Sequence, residues 1–297
     1  MNGILPLWKP KGMTSHDCVM KIRKIFKTRK VGHTGTLDPE VEGVLVICVG
    51  QATKIVPFLT AMDKTYIAEC ALGQSTETED AYGAVVEEEE ITNPPSDKEI
   101  ENVLKHFRGE ISQTPPMYSA VKVGGKRLYE YARANEYVER PTRQVTIYEL
   151  RQLKSKSKNN QKFKLKVVCS AGTYMRTLCV DIGKQLGYPA HMSHLVRTES
   201  CTFTKDDTVT LEELEKAMDM NNVGDFLLPM TEGLRHLDTL QVNENIAEKV
   251  LHGQKFARPD KYPTTNPFTI FYDQQLLAIY EIHPDNPNEI KPVRVFN

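Results

Sequence analysis

The sequence has no CxxC pair. Its six cysteines (Cys18, Cys48, Cys70, Cys169, Cys179, Cys201) are scattered, most of them inside apolar runs such as VLVICVG and LKVVCSAG. That spacing argues against a thiolate zinc site or a disulfide framework and predicts buried free thiols in a reducing compartment. No apolar stretch approaches the ~18 residues of a membrane span. The opening MNGILPLWKPKG has no basic segment followed by a long apolar run, so no secretory signal is expected. A soluble cytoplasmic protein follows as the expectation. Charge of one sign is lacking too: 38 basic against 39 acidic residues exclude a uniformly basic nucleic-acid coat. The close histidine pair, His191 and His194, has no third ligand nearby, so no metal site is expected. No internal repeat is visible.

What is present is uneven. The near-neutral total of this 297-residue chain conceals two basic blocks and one acidic block. Residues 1–31 carry eight basic residues against the single acid Asp17, and residues 151–166 carry seven with no acid. Residues 77–101 hold ten acids against Lys98 alone. A charge run is ordinarily solvated surface, but two basic blocks are also what a polyanion partner requires.

Hydrophobic patterning predicts mixed elements. Ser15 is placed to cap a helix whose apolar face is Val19, Ile22, Ile25 and Phe26. VLVICVG (44–50) reads as a buried strand, 53–63 as a helix kinked at Pro57, and 65–73 as an alternating strand. Ser96 with Glu99, and Thr210 with Glu213, form capping boxes that open two further helices. RQVTIYELRQL and KFKLKVVCS predict a hairpin around a turn at 155–161, and 173–186 a helix ended by Gly187. Strands and helices do not alternate regularly. The expected class is therefore α+β, with a mixed, largely antiparallel sheet flanked by helices. After His236 a short helix (243–251) and compact strand runs suggest a separate β-rich domain, which divides the chain into 1–236 and 237–297.

The most unusual stretch is VGHTGTLDPEVEGVLVICVG (31–50), where glycines bend a polar loop that feeds a buried strand. Asp38, held extended by Pro39, stands where a carboxylate nucleophile or base could stand, although spacing alone favours an ordinary Asx-Pro turn. An EF-hand reading of Asp38-x-Glu40-x-Glu42-Gly43 fails because Val49 occupies the position of the bidentate Glu. The stretch also lacks the GK[ST] ending of a phosphate-binding loop and the second acid of an aspartyl phosphatase.

GHTGTLDPEVEGVL closely resembles the signature of the TruB family of tRNA pseudouridine synthases. Further segments match in the family's order: KPKGMTS (9–15), DKTYIAECALGQSTETEDAYG (63–83), QTPPMYSAVKVGGKRLYEYAR (113–133), ERPTRQVTIY (139–148), CSAGTYMRTLCVDIGKQLG (169–187) and HLVRTESCTF (194–203). Together they cover most of residues 3–203. One departure is HLVRT, where the family commonly has two adjacent arginines.

The resemblance implies a pseudouridine synthase fold with a small PUA-like C-terminal domain and isomerisation of uridine 55 in the T-loop of tRNA. Asp38 would be the nucleophile; attack on the base, attack on the ribose and action as a base all remain open. Arg176 would pair with it as a planar fork, keeping the carboxylate ionised despite burial. Tyr66 would stack on the flipped uracil, with Tyr174 and Leu195 lining the same pocket and Lys9, in KPKGMTS, assigned to substrate binding. His33 would fill the space the uridine leaves. Segment 114–143 corresponds to an insertion that closes over the RNA, ordering on binding, with Lys122, Lys126, Arg127, Arg140 and Arg143 as backbone contacts.

Isomerising uridine changes no oxidation state and adds no water, so no cofactor and no metal are expected. The implied partner is the T-arm of tRNA, with no membrane, no obligate protein partner and a monomeric state. The rival readings are a non-catalytic RNA-binding module, a synthase acting on ribosomal or guide-directed RNA, and an aspartate hydrolase. The first lacks support because Asp38, Tyr66 and Arg176 are all present. The short N-terminus and the lack of a basic tail weigh against the second, and the missing second acid and metal motif against the third.

Overall fold

The computed structural model describes residues 1–154, 160–220, 222–259 and 263–296. Seven strands lie side by side in one sheet: β1 (Gly3–Lys9), β2 (Glu42–Val49), β3 (Lys64–Leu72), β4 (Gly109–Gln113), β5 (Arg143–Gln152), β6 (Lys162–Cys169) and β7 (Ala190–Ser200). Their spatial order is β1-β2-β7-β3-β6-β5-β4, with Val31–His33 added beside β2 and Phe203–Thr204 beside β7. Every pair along this path is antiparallel except β2 with β7. That single parallel contact sets Val196 and Arg197 of β7 against Glu42 and Gly43, at the mouth of the loop that carries Asp38.

Residue alternation decides what each strand faces. On β2, Leu45, Ile47 and Val49 pack with Leu5, Leu7 and the apolar stripe Cys18, Val19, Ile22 and Ile25 of helix α1 (Ser15–Ile25). Val44, Val46 and Cys48 point the other way, into a cluster with Ile4, Leu276, Ile279 and Phe296. Burial on both faces explains why this strand reads as a continuous apolar run. Across the sheet, Tyr66, Ala68 and Cys70 of β3 and Phe163, Leu165 and Val167 of β6 share a core with two helices. These are α2 (Asp97–Leu104), through Ile100 and Leu104, and α3 (Met175–Leu186), through Met175, Leu178, Cys179 and Ile182. The helical contributions recur every three or four residues, the spacing of one buried face.

The C-terminal residues form a second, five-stranded sheet built from Thr239–Gln241, Phe256–Ala257, Phe268–Tyr272, Gln275–His283 and Asn286–Val295. The helix Glu244–Leu251 lies against it, burying Ala247 and Val250 with Phe268, Ile270 and Tyr280.

Several local expectations are corrected. Thr14, not Ser15, caps α1: its hydroxyl accepts from Asp17 N, and the Asp17 carboxylate accepts from Thr14 N, in a capping box. Residues 53–63 are not one kinked helix. A 3-10 turn (Gly50–Ile55) passes into the short helix Val56–Thr60, and Pro57 sits in its first turn, where a missing N–H costs nothing. Helix α3 begins at Met175, with Tyr174 as its cap. Segment 114–143 is not a bare loop, since it holds a strand pair (Lys122–Val123 with Lys126–Arg127) and a helix (Leu128–Ala134). Gly124 and Gly125, both at positive φ, make its two-residue turn. The hairpin of β5 and β6 forms as expected, while residues 155–159 of its turn, including Lys156 and Lys158, lie outside the described residues. The cysteines are free thiols, five of them buried. No described helix is long and apolar enough to cross a membrane.

Candidate active site

The loop between Val31–His33 and β2 is pinned from three sides. From β1, the Lys9 ammonium donates to the carbonyls of Pro10 (2.8 Å), Pro39 (3.1 Å) and Val41 (2.7 Å). From α1, the Ser15 hydroxyl accepts from Leu37 N at 2.8 Å and lies 3.2 Å from Leu37 O. From β7, Arg197 donates through Nε to Val44 O (2.7 Å) and through Nη2 to Gly35 O (3.1 Å). Gly43 is required here: its φ is +132°, and a Cβ would come within 2.2 Å of Arg197 O. The two ends of the Asp38 loop are thus clamped by charged side chains buried on its protein side.

Asp38 stands at the top of this loop with 41% of its side chain exposed. Arg176, on the first turn of α3, brings Nε to 3.1 Å from Asp38 Oδ2. The rest of its guanidinium is committed elsewhere: Nη1 donates to Thr78 O (3.0 Å) and Nη2 to Tyr118 O (2.9 Å). In place of the expected fork, Arg176 meets Asp38 in a single ion-pair contact through Nε, and its other two nitrogens tie the 76–83 loop and the 114–143 segment to the site. Burial raises the Asp38 pKa above the ordinary carboxylate value, Arg176 opposes that rise, and the Asp80 charge adds to it.

Asp38, Val41 and Leu195 line a cleft of about 280 Å³ with Thr78, Asp80 and His194 among the opposing residues. That is close to the lower end of small-molecule sites. Tyr66, only 8% exposed, belongs to the same core cluster as Leu37, Val41 and Leu195, and pairs with Arg197 across β3 and β7. Burial raises its phenol pKa, so the hydroxyl stays protonated. Tyr174 is fixed by Gln113, whose side-chain oxygen accepts from Tyr174 N (2.9 Å) and whose amide donates to Tyr174 O (3.2 Å). Burial raises the Tyr174 pKa against the pull of Arg143 and Arg176. His33 ends its short strand half-buried. Its Nδ1 accepts from Gly35 N at 3.3 Å, which places the proton of the neutral ring on Nε2. Burial, then the Arg197 charge, lowers its pKa. Neither His33, Tyr66, Tyr174 nor Arg176 is part of the cleft wall.

Lys9 is placed differently from the sequence expectation. It is fully buried, with two of its donors used on the Asp38 loop and the third on Pro10 O, so it positions Asp38's segment and has no donor left for a ligand. The cations of segment 114–143 are partly engaged within it. Lys126 pairs with Glu136 (3.1 Å), Arg127 lies over the Tyr129 ring, and Arg140 donates to Pro115 O (3.1 Å). Lys122 and Arg143 are exposed.

Two residues escaped the sequence reading. Arg197 is an arginine in an otherwise buried strand, a signal weakened by reading HLVRT only for its basicity. Asp80 was absorbed into the acidic block, yet it accepts from Thr78 Oγ1 (2.6 Å) and Tyr82 N (3.0 Å), shaping the turn whose Thr78 carbonyl meets Arg176. Among the described residues, no group of three or more His, Cys, Asp or Glu side chains could hold a metal ion.

Known proteins match the chain over nearly its whole length. Residues 23–175 match the N-terminal domain of the TruB family pseudouridylate synthases, and residues 176–235 match the tRNA pseudouridylate synthase B C-terminal domain. The chain is 57% identical to a tRNA pseudouridine synthase B of Oceanobacillus iheyensis, over 100% of this chain and 98% of that protein. It is 50% identical to the Listeria innocua protein of the same name, over 99% and 98%. A crystal structure of a Cbf5–Nop10–Gar1 complex contains a chain that superposes with a TM-score of 0.76 at 29% identity, covering 99% of this chain and 84% of that one. The mixed sheet with its flanking helices is the fold of those synthases.

Proposed function

Because the chain belongs to the TruB family of pseudouridylate synthases, we propose that it isomerises uridine 55 of the tRNA T-loop to pseudouridine, with Asp38 as nucleophile. The observation that carries this reading is the 3.1 Å contact between Arg176 Nε and Asp38 Oδ2 at the edge of the cleft. In the reaction the N1–C1′ bond breaks, the uracil turns, and a C5–C1′ bond forms. C5 loses a proton and N1 gains one, so the atoms and the oxidation state balance without a co-reactant.

Asp38 provides a carboxylate whose charge Arg176 stabilises where burial opposes it. The cleft accepts a single extruded base rather than a stem, with Leu195 on its wall and Tyr66 in the core that backs it. His33, neutral and flat beside the loop, fills the space left in the RNA. Segment 114–143, held to the site through Tyr118 and Arg176, closes over the RNA arm with Lys122, Arg140 and Arg143 toward its backbone. The five-stranded C-terminal sheet, residues 237–297, acts as a further RNA-binding domain.

The test is incubation with an unmodified tRNA transcript followed by chemical mapping of pseudouridine. One new pseudouridine, in the T-loop, is expected; none, or one confined to another loop, overturns the proposal.

A further inference from the structure

The basic block at the end of α1 forms a pocket that the catalytic site does not use. Met20, Arg23, Lys24 and Lys27 recur at the spacing of one helical face, and the chain then turns at Lys27, with φ of +49°, so that Thr28 and Arg29 fold against them. Together they line an open depression of about 540 Å³. Four of its six lining residues are cations.

None of the four is neutralised. Among the described residues, no carboxylate pairs with Arg23, Lys24, Lys27 or Arg29. The nearby acid Asp17 is spent on the capping box, and Glu215 pairs with Lys21 at 3.2 Å instead. Arg23 Nε is buried with no acceptor, and its other nitrogens make only long contacts, to Met20 Sδ (3.6 Å) and Val31 O (3.4 Å). One cation in a last turn complements the helix dipole. Four around one depression repel each other, and an anion relieves that repulsion.

The other basic segments are built differently. Arg151 and Lys166 both pair with Glu149, and Lys162 and Lys164 point away from the face that carries Tyr66. The cations of 114–143 are partly engaged with Glu136, Tyr129 and Pro115.

The position of the pocket selects the kind of anion. Ser15, at the other end of α1, bonds to Leu37 beside Asp38. Eleven helical residues span roughly 16 Å. Under the proposed function an RNA loop enters the cleft, and the stem that continues from it carries repeating phosphates, the anion that a group of unpaired cations at the far end of α1 would match. We propose that the pocket of Arg23, Lys24, Lys27 and Arg29 is a second RNA-backbone site, which takes stem phosphates of the RNA whose loop enters the cleft. This rests on the proposed function and specifies where its polyanion is held.

The test compares the full-length protein with the K24Q/K27Q/R29Q variant, whose three positions are exposed. Binding of tRNA is measured across salt concentrations, and the modification rate is measured at saturating tRNA. With each phosphate contact contributing about 0.7 to 0.9 to the log–log slope, the variant's slope is expected to be shallower by roughly 2 to 3. Its saturated rate should stay within about twofold, which also shows that it folds. A K162Q/K164Q control should leave the slope unchanged, and a loop oligonucleotide stripped of its stem should bind wild type and variant alike. An unchanged slope in the triple variant overturns the site, and so does an equal loss on the stemless loop. If wild type binds tRNA without forming pseudouridine, the proposed function fails, while the slope comparison still decides the pocket.

Discussion

Arg176 gives Asp38 one nitrogen of its three: Nε lies 3.1 Å from Oδ2, while Nη1 and Nη2 donate to the carbonyls of Thr78 and Tyr118. One guanidinium therefore sets the charge beside the carboxylate and joins α3, the 76–83 loop and the 114–143 segment at one point. Charge and architecture are separable by substitution, and several expectations follow from that.

Asp38→Asn preserves the shape of the carboxylate and removes its charge and nucleophilicity. Turnover should fall to background while tRNA affinity stays within a few-fold, because the clamps from Lys9, Ser15 and Arg197 bind the loop's backbone and not Asp38. Pseudouridine formation and RNA binding measured side by side check this. Substantial residual turnover would remove Asp38 from the chemistry.

Arg176→Met should collapse the rate and move its acid limb to higher pH. Burial already raises the Asp38 pKa, and Arg176 is the main group opposing that rise. The ionised carboxylate is lost as pH falls through this raised value, so the limb lies above the ordinary carboxylate range in the wild type and higher still without the guanidinium. Arg176→Lys keeps a charge and leaves two partly buried carbonyls without their donor, each costing roughly 1–3 kcal/mol. It should lose rate with a smaller displacement of the limb. Single-turnover rates across pH distinguish the two variants, and identical limbs in all three proteins would show that Arg176 does not tune Asp38.

Much of this was legible in the chain itself. The run VLVICV announces a strand buried on both faces, Gly187 an ended helix, and Ser96 and Thr210 two capped ones, because each signal is local. The sheet order is not local: that β7 lies between β2 and β3 depends on contacts between residues more than a hundred apart. Arg197 and Asp80 could be understood only once those contacts placed them, one behind the Asp38 loop and the other on the turn facing it. The place of Lys9 depends on the same kind of contact: the sequence expectation is substrate binding, and only the fold brings the carbonyls of Pro39 and Val41, with Pro10, around its ammonium.

Lys9→Met should act on stability before chemistry. The methionine fills the space of the stem but leaves the Pro39 and Val41 carbonyls, with Pro10, without the ammonium that satisfies them. At about 1–3 kcal/mol for each buried group left unpaired, a loss of several kcal/mol is expected. A lowered midpoint of thermal unfolding measures it, and protection of the 34–41 amides from hydrogen exchange should fall in parallel. A variant with wild-type stability but weakened RNA affinity would instead make Lys9 a ligand contact.

His33→Ala separates extrusion of the base from chemistry on it. Gly35 N donates to the imidazole at Nδ1 and its pKa is lowered, which favours the neutral ring that the proposed wedge role calls for. A flat neutral ring can replace a departed base in a stack, and unstacking costs a few kcal/mol. The variant should modify a structured stem-loop about tenfold more slowly or worse, since 1.36 kcal/mol is a decade in rate. An RNA whose target loop cannot stack has no gap to fill and should lose much less. Because burial and the Arg197 charge lower the His33 pKa, any inflection this residue gives to the wild-type rate on the structured RNA should lie below the ordinary imidazole value. Arg176→Lys, by contrast, should slow both RNAs alike, since it acts on the carboxylate after the base has left the stack. Equal His33→Ala defects on the two RNAs would assign His33 to the architecture of the Asp38 loop rather than to the vacated stack.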